Sequence, residues 1–320
     1  MTPRALGVDL GGTNARAAVV DADTGEIVAA HKEPLRDRAP EKVVEHVRHA
    51  LELATAAAGC DVRSCGRVGV GVAGQCLGAS GLVLNAPNLG WRDVPFGRML
   101  EAALGVPVQV ANDLSVAAWG EKKFGAAKGL DDVVLVFVGS GVGSGLILGG
   151  RLHHGAQGVA GEFGHVKVRP VRPTTAVRRC GCGELSCLEA YTSGMNVAAR
   201  VREEMAAGAA TAVRELAGGD LDRVTATIVD EAYGRGDAYA VGLWGEVGEI
   251  LGVAIANLVT LVNPARVILG GGVLLGCPNL DGLVRRHFDA SVSRSATRGL
   301  SIERAWLGDD AGVIGAALLD

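Results

Sequence analysis

"ALGVDLGGTNARAAVVD", Ala5 to Asp21, decides the fold. Apolar runs at both ends have strand composition, and Gly11–Gly12 between them marks a turn, so the stretch predicts a strand–glycine turn–strand hairpin. The turn "DADTG" then leads to a third strand, "EIVAAHKE", Glu26 to Glu33. The same pattern returns in "DVVLVFVGSGVGSGLILGGRLHHG", Asp132 to Gly155: strand, glycine turn, strand, Gly-Gly turn, short strand. The residues differ but the order of elements repeats, which predicts two similar α/β domains whose glycine hairpins face each other around a cleft.

Between the hairpins, Val43, Val44, Val47, Leu51 and Ala54 recur at helical spacing and predict a helix from Pro40 to about Ala58. A strand "RVGVGVAG", a glycine-rich loop, a short helix near Phe96 to Leu104 and a strand "VPVQVAND" follow, then a helix from Leu114 to Phe124. Beyond the second hairpin lie a helical region from Leu188 to about Trp244, a helix "EVGEILGVAIANLVTLV", a strand "ARVILGG" and a final helix "DDAGVIGAALL". No low-complexity linker separates the halves.

A length of 320 residues exceeds what one small core usually organises, so two domains are expected. The expected division is 1–112 plus about 308–320 for a small domain and 113–307 for a larger one. A net charge of −4 without a long basic run gives nucleic-acid binding little electrostatic support. Apolar stretches are interrupted well short of a membrane span, and Asp9 and Arg16 break any signal-peptide core. Seven cysteines, an odd number, do not form a disulfide framework, which suits a reducing cytoplasm.

"GVGVAG", Gly69 to Gly74, spells a dinucleotide fingerprint, but "QCLGASG" follows where a helix should open. A buried strand that needs small residues is the better reading. "DLGGTN", Asp9 to Asn14, and "GSGVGSG", Gly139 to Gly145, are different. Glycine turns let backbone N–H groups converge on an anion, Thr13 and Asn14 add donors, and Asp9 suits a magnesium ion held through water. Either loop alone is an ordinary hairpin; together they point to phosphate binding. Asn112–Asp113 ends an apolar strand and precedes a helix. Two readings stand equal on spacing: a helix cap, or a general base at a strand's carboxyl end. Asn88, in "NAPNLGW", reads as a turn asparagine on its own.

"EFGHVKVRPVRPTTAVRRCGCGELSCLEAY", Glu162 to Tyr191, gathers His165, Cys180, Cys182 and Cys187. One nitrogen and three sulfurs suit zinc in a closed structural site. Glu162 and Glu189 bracket this cluster. Cys60, Cys65, Cys76 and Cys277 lack a nearby histidine and read as buried thiols.

"DLGGTN", "NAPNLGW", "VANDLSVAAWGE", "GSGVGSG", "GEFGH", "CGCGELSCLEAYTSG" and "NPARVILGGGV" occur in the order typical of ROK-family sugar kinases, so nearly the whole chain resembles that family. The resemblance implies the actin-like (ribonuclease-H-like) ATPase fold, with two domains closing on sugar and ATP. It implies ATP-dependent phosphorylation of a hexose at its 6-hydroxyl, with glucose the expected acceptor. Fructose, mannose or an N-acetylhexosamine is the alternative, and a non-catalytic sugar-binding regulator the rival from another class. By the same resemblance Asp113 is the catalytic base. Asn88, Asn112, Asp113, Glu162, His165 and Glu189 bind the sugar, and His165 also holds zinc through its second ring nitrogen. Asp9, Gly11, Gly12, Thr13 and Asn14 form one phosphate loop, Gly139, Ser140, Gly141 and Gly143 the other, and Gly271 and Gly272 lie on the adenine side. ATP, Mg2+ and structural Zn2+ are the implied cofactors, and a homodimer or homotetramer in the cytoplasm the implied assembly. "DLGGTN" begins at Asp9, which leaves no room ahead of it for the DNA-binding domain of ROK repressors. Ser186, Ser140 and Ser144 depart from the family's usual residues without removing a ligand.

Overall fold

The structure, a computed structural model, describes residues 3–171 and 175–319. In chain order, β1 (Arg4–Leu10), β2 (Asn14–Asp21), β3 (Ile27–Pro34), α1 (Pro40–Ala57), β4 (Val68–Val72), β5 (Gln75–Leu77), β6 (Leu82–Ala86), β7 (Trp91–Val94), α2 (Phe96–Leu104), β8 (Val108–Asn112) and α3 (Asp113–Phe124) come first. Then follow β9 (Val133–Val138), β10 (Val142–Leu148), β11 (Arg151–Leu152), α4 (Glu189–Thr192), α5 (Gly194–Ala206), α6 (Val213–Leu216), α7 (Ala226–Gly234), α8 (Ala238–Val262), β12 (Arg266–Gly270), α9 (Gly272–Gly276), α10 (Pro278–Ser291), β13 (Ser301–Arg304) and α11 (Ala311–Ala317). The chain divides into two compact units, 1–134 with 145–161 and 305–320, and 135–144 with 162–304.

In the first unit one sheet has the order β3-β2-β1-β4-β8. β1, β2 and β3 are antiparallel, as the opening hairpin requires, while β4 and β8 run parallel to β1. Parallel strands need crossovers, and the crossover ahead of β4 is α1. Pro40 opens α1, where a missing N–H costs nothing. Val43, Val47 and Leu51 on its apolar stripe are fully buried with Leu6, Val8 and Val70 of the sheet. A second apolar cluster joins Ala18 and Val20 of β2 to Val313, Ile314 and Ala317 of α11.

The glycines of "GVGVAG" have a packing reason. A Cβ on Gly69 would land on the Ala316 carbonyl of α11, and one on Gly71 would lie 2.5 Å from Val116 Cγ2 of α3. All five residues of β4 are buried. Small residues let two helices press on this strand, as expected for a buried strand rather than a nucleotide fingerprint.

Residues 75–94 differ from the glycine-rich loop expected there. They form a three-stranded sheet, β5-β6-β7, of strands only three, five and four residues long. Runs this short, separated by turns rich in Gly and Pro, have too little alternation to read as strands.

A second five-stranded sheet has the order β11-β10-β9-β12-β13, with β12 and β13 parallel. Within the second unit α8 is one helix of 25 residues starting at Ala238, so the helix expected from Glu246 begins eight residues earlier. Asp237 starts it, its side chain accepting from the Ala240 N–H. Gly248 and Gly252 bring α10 close: added Cβ atoms would lie 2.7 Å from Leu283 Cβ and 2.6 Å from the Val284 oxygen. α8 is long and apolar enough to cross a membrane by composition, but 56% of its most apolar window is buried within the protein, as in a core helix.

Candidate active site and metal centre

Asp9 sits near the carboxyl end of β1. In register across the sheet, Leu10 pairs with Val72 of β4 and Val72 with Asn112 of β8, so Asp9 and Asn112–Asp113 share the carboxyl edge of three parallel strands. That edge is where open α/β sheets bind ligands. After β1 the chain turns sharply: Gly11 N–H donates to the Asn14 carbonyl at 3.0 Å, and Leu35 N–H to the Thr13 carbonyl at 2.8 Å. Asn14 Nδ2 donates to Thr13 Oγ1 at 2.9 Å. Gly12 faces Asn88, for a Cβ on it would lie 2.8 Å from Asn88 Cβ and 3.0 Å from the Asn88 carbonyl. The first glycine loop and the Asn88 turn therefore pack directly on one another.

Burial raises the pKa of Asp9, an effect that Arg16 opposes and Asp309 reinforces. Arg16 pairs with Asp9 in register, bonds Asp310 Oδ1 at 2.6 Å and donates to the Asp309 carbonyl at 3.0 Å. A partly buried carboxylate with a second aspartate, Asp309, acting on it is a place where a hard cation relieves repulsion.

Asn112 is the cap: its Oδ1 accepts from Leu114 N–H at 2.9 Å and Ser115 N–H at 3.1 Å. Its Nδ2 donates to the Gly74 carbonyl at 3.1 Å and to Asp113 Oδ1 at 3.0 Å. Asp113 is the first residue of α3, where the helix dipole favours its negative charge. Leu114 N–H also donates to Asp113 Oδ1, at 2.9 Å.

In the second unit Gly139 N–H donates to the Gly141 carbonyl at 2.9 Å, forming the turn that precedes β10. Ser140 lies in this turn, whereas Gly143 lies one residue inside β10. Gly271, at φ 90°, takes a conformation that suits only glycine, and an added Cβ would collide with Val138 of β9. A Cβ on Gly139 would lie 3.9 Å from the Gly272 nitrogen, so Gly139, Gly271 and Gly272 are neighbours.

Glu189, at the start of α4, reaches this turn. Its Oε2 accepts from Val142 N–H at 2.9 Å, and its Oε1 accepts from Cys180 Sγ at 3.5 Å. Glu162 lies 3.6 Å from His165 Nε2, while His165 Nδ1 is 3.9 Å from Cys180 Sγ. The imidazole thus turns one nitrogen to the thiols and the other to a carboxylate.

Cys182 Sγ and Cys187 Sγ are 3.8 Å apart, and one ligand atom from each of His165, Cys180, Cys182 and Cys187 lies within 4.8 Å of all the others. A tetrahedron of sulfurs at about 2.3 Å from zinc has edges of about 3.8 Å. The donor set and its spacing fit that ion. Burial pushes Cys180 up to about 12 and raises Cys187 as well. Burial also acts on Cys182, but the Glu184 N–H and the two neighbouring thiols outweigh it and lower that group. Ser186, at φ 61°, takes a left-handed conformation in this loop, which explains why glycine suits the position better.

Several participants were not singled out from sequence. The Gly74 carbonyl and Val142 N–H are backbone groups with no signature of their own. Lys167, inside the quoted thiol segment, donates to Cys187 Sγ at 3.3 Å and to the Leu185 carbonyl at 3.0 Å. A lysine among zinc-type thiols was a readable signal for a charge partner.

Residues 5–320 match the ROK family. A glucokinase of Streptomyces coelicolor is 35% identical over 315 residues, covering 98% of this chain and 96% of the relative. A crystal structure of a ROK family glucokinase from Streptomyces griseus, in complex with glucose and AMPPNP, superposes with a TM-score of 0.78 at 35% identity, covering 98% of each chain. The ROK hexokinase of Thermus thermophilus superposes with a TM-score of 0.79 at 30% identity, covering 98% of this chain and 97% of that one.

Proposed function

We propose, from the premise that this chain belongs to the ROK family and has its actin-like ATPase fold, that it is a sugar kinase transferring the γ-phosphoryl group of ATP to the 6-hydroxyl of glucose. The observation that carries the residue roles is the division of labour at the start of α3. Because Asn112 caps the helix, the Asp113 carboxylate is not needed for that task. It stands at the carboxyl edge of the parallel strands, at the positive end of a helix.

In this reading Asp113 takes the proton of the sugar 6-hydroxyl as that oxygen attacks the γ-phosphorus in line. Asn112 holds Asp113 through its Nδ2. Asn88, Asn112, Glu162, His165 and Glu189 hydrogen-bond the remaining sugar hydroxyls. The loop of Gly11, Gly12, Thr13 and Asn14 and the loop of Gly139, Ser140, Gly141 and Gly143 receive the phosphates. Gly271 and Gly272 admit the adenine side. Asp9 would hold magnesium, which would supply neutralisation of charge on the transferring phosphates. His165, Cys180, Cys182 and Cys187 would hold zinc, which would fix the loop without taking part in the reaction, since four protein ligands leave no open position. We place the enzyme in the cytoplasm, in glycolysis, as a homodimer or homotetramer without a nucleic-acid partner.

A panel of hexoses assayed with MgATP for ADP release tests the acceptor. Glucose is expected to give the highest kcat/KM. A higher value for fructose, mannose or an N-acetylhexosamine would reassign the substrate, and no sugar-dependent ADP would leave a sugar-binding regulator.

A further inference from the structure

The Glu189 carboxylate joins two parts of the second unit that the chemistry treats as separate. Its Oε2 holds Val142 N–H at 2.9 Å, at the exit of the glycine turn, while its Oε1 meets Cys180 Sγ at 3.5 Å, in the thiol and imidazole cluster. The turn is fitted to this carboxylate: a Cβ on Gly141 would lie 2.8 Å from Glu189 Oε2. The residue itself is fixed from behind, because its backbone carbonyl accepts from Asn196 Nδ2 at 3.2 Å and from Ser193 N–H at 3.1 Å. The next segment returns to the same turn, with Gly194 N–H donating to the Gly139 carbonyl at 2.8 Å. The turn is therefore held at Gly139 and at Val142 from one short stretch of chain, residues 189 to 196.

We propose that Glu189 is a positioning residue for the nucleotide: by holding Val142 N–H from a stretch that is itself anchored at Asn196 and Gly139, it sets the Gly139–Val142 turn in its phosphate-binding shape. This rests on the kinase reading and adds to it, because a sugar contact by Glu189 would act on the acceptor alone. A hydrogen bond from a backbone N–H to a carboxylate is among the stronger ones, and a partly buried amide left without its acceptor bears the cost of its desolvation.

The test is calorimetric titration of the full-length, zinc-loaded protein with Mg-AMPPNP in the absence of sugar, so that acceptor contacts do not enter. Glu189→Ala is expected to weaken AMPPNP binding by about tenfold or more, the scale of one charge-assisted hydrogen bond. Glu189→Gln retains an acceptor oxygen and is expected to restore most of that affinity. Gly141→Ala, which crowds the carboxylate, should weaken binding in the wild-type background and add little to Glu189→Ala, since the two changes break one contact. Zinc content, measured on each variant, is expected to stay at one per chain. Unchanged AMPPNP affinity in Glu189→Ala, or full additivity with Gly141→Ala, overturns the proposal while the kinase reading stands. A wild-type protein that binds no AMPPNP without sugar overturns the proposal, and only one that also releases no ADP with any hexose overturns the kinase reading.

Discussion

Asn112 caps α3 and holds Asp113 at the same time: Oδ1 accepts from Leu114 and Ser115 at 2.9 and 3.1 Å, and Nδ2 donates to Asp113 Oδ1 at 3.0 Å. Asn112→Ala removes both. The lost cap is expected to lower the unfolding free energy by about 1 kcal/mol, read from urea denaturation. The untethered Asp113 is expected to lower kcat as well. Asn112→Asp keeps the capping oxygen but not the donor, so most of the stability should return and the kcat should not. Recovery of both in Asn112→Asp would show that the Nδ2 contact is idle.

Asp9 gives a pH-dependent expectation. Burial raises its folded-state pKa above the ordinary carboxyl value, with Arg16 opposing. The folded protein therefore binds this proton more tightly than the unfolded chain does. Its contribution to stability falls as pH rises from the ordinary carboxyl range through the raised value. At neutral pH the ionised group is a net cost, so Asp9→Asn should raise Tm there and lose that advantage in acid. The same change should raise KM for MgATP. A lower Tm at neutral pH would mean that the Arg16 interaction outweighs burial.

Two adjacent glycines are expected to fail differently. Gly11 has room for a Cβ, with only the Asn14 carbonyl near it at 3.8 Å, whereas a Cβ on Gly12 would press on Asn88 at 2.8 Å. Gly11→Ala should fold with unchanged Tm and weaken only MgATP, because the ligand is what its Cβ would meet. Gly12→Ala should lower Tm and raise KM for the hexose too, because Asn88 must move. Normal ATP kinetics in Gly11→Ala would remove the first loop from the nucleotide site.

One zinc per chain is expected by elemental analysis after mild chelator washing. Cys182 is the exposed member of the cluster, so Cys182→Ser disturbs packing least among the three thiols. That variant should lose most of its zinc, together with part of its thermal stability and hexose affinity. Full activity and Tm in a zinc-free preparation would leave the cluster without a structural role.

Much of this was legible because the signals were local. The opening hairpin, α1, and the junction of β8 with α3 follow from alternation, helical spacing and punctuation by glycine. The thiol cluster was legible because its ligands sit within one segment. What was not legible depends on tertiary contact. Strands β5, β6 and β7 stabilise one another and are individually too short to show a period. The start of α8 at Ala238 was hidden by an apolar run with no break at Glu246. Sequence spacing left capping and catalysis equal at Asn112–Asp113, and only side-chain geometry assigned the cap to Asn112. Glu189 was paired with the thiols by proximity in sequence, but its bond to Val142 spans 47 residues and has no local sign.

The most direct test of the central claim is single-turnover transfer from MgATP to glucose by the wild-type enzyme and by Asp113→Asn, with glucose 6-phosphate measured as the product. The wild-type enzyme should form it. Asp113→Asn keeps size and much of the hydrogen bonding but removes the proton acceptor, and loss of a general base costs about 10² to 10⁴ in rate. The variant is therefore expected to bind glucose within about tenfold of wild type and to slow transfer by at least about 10². Near-normal transfer by Asp113→Asn would contradict the assignment of the base, and no glucose 6-phosphate from the wild-type protein would contradict glucose as the acceptor.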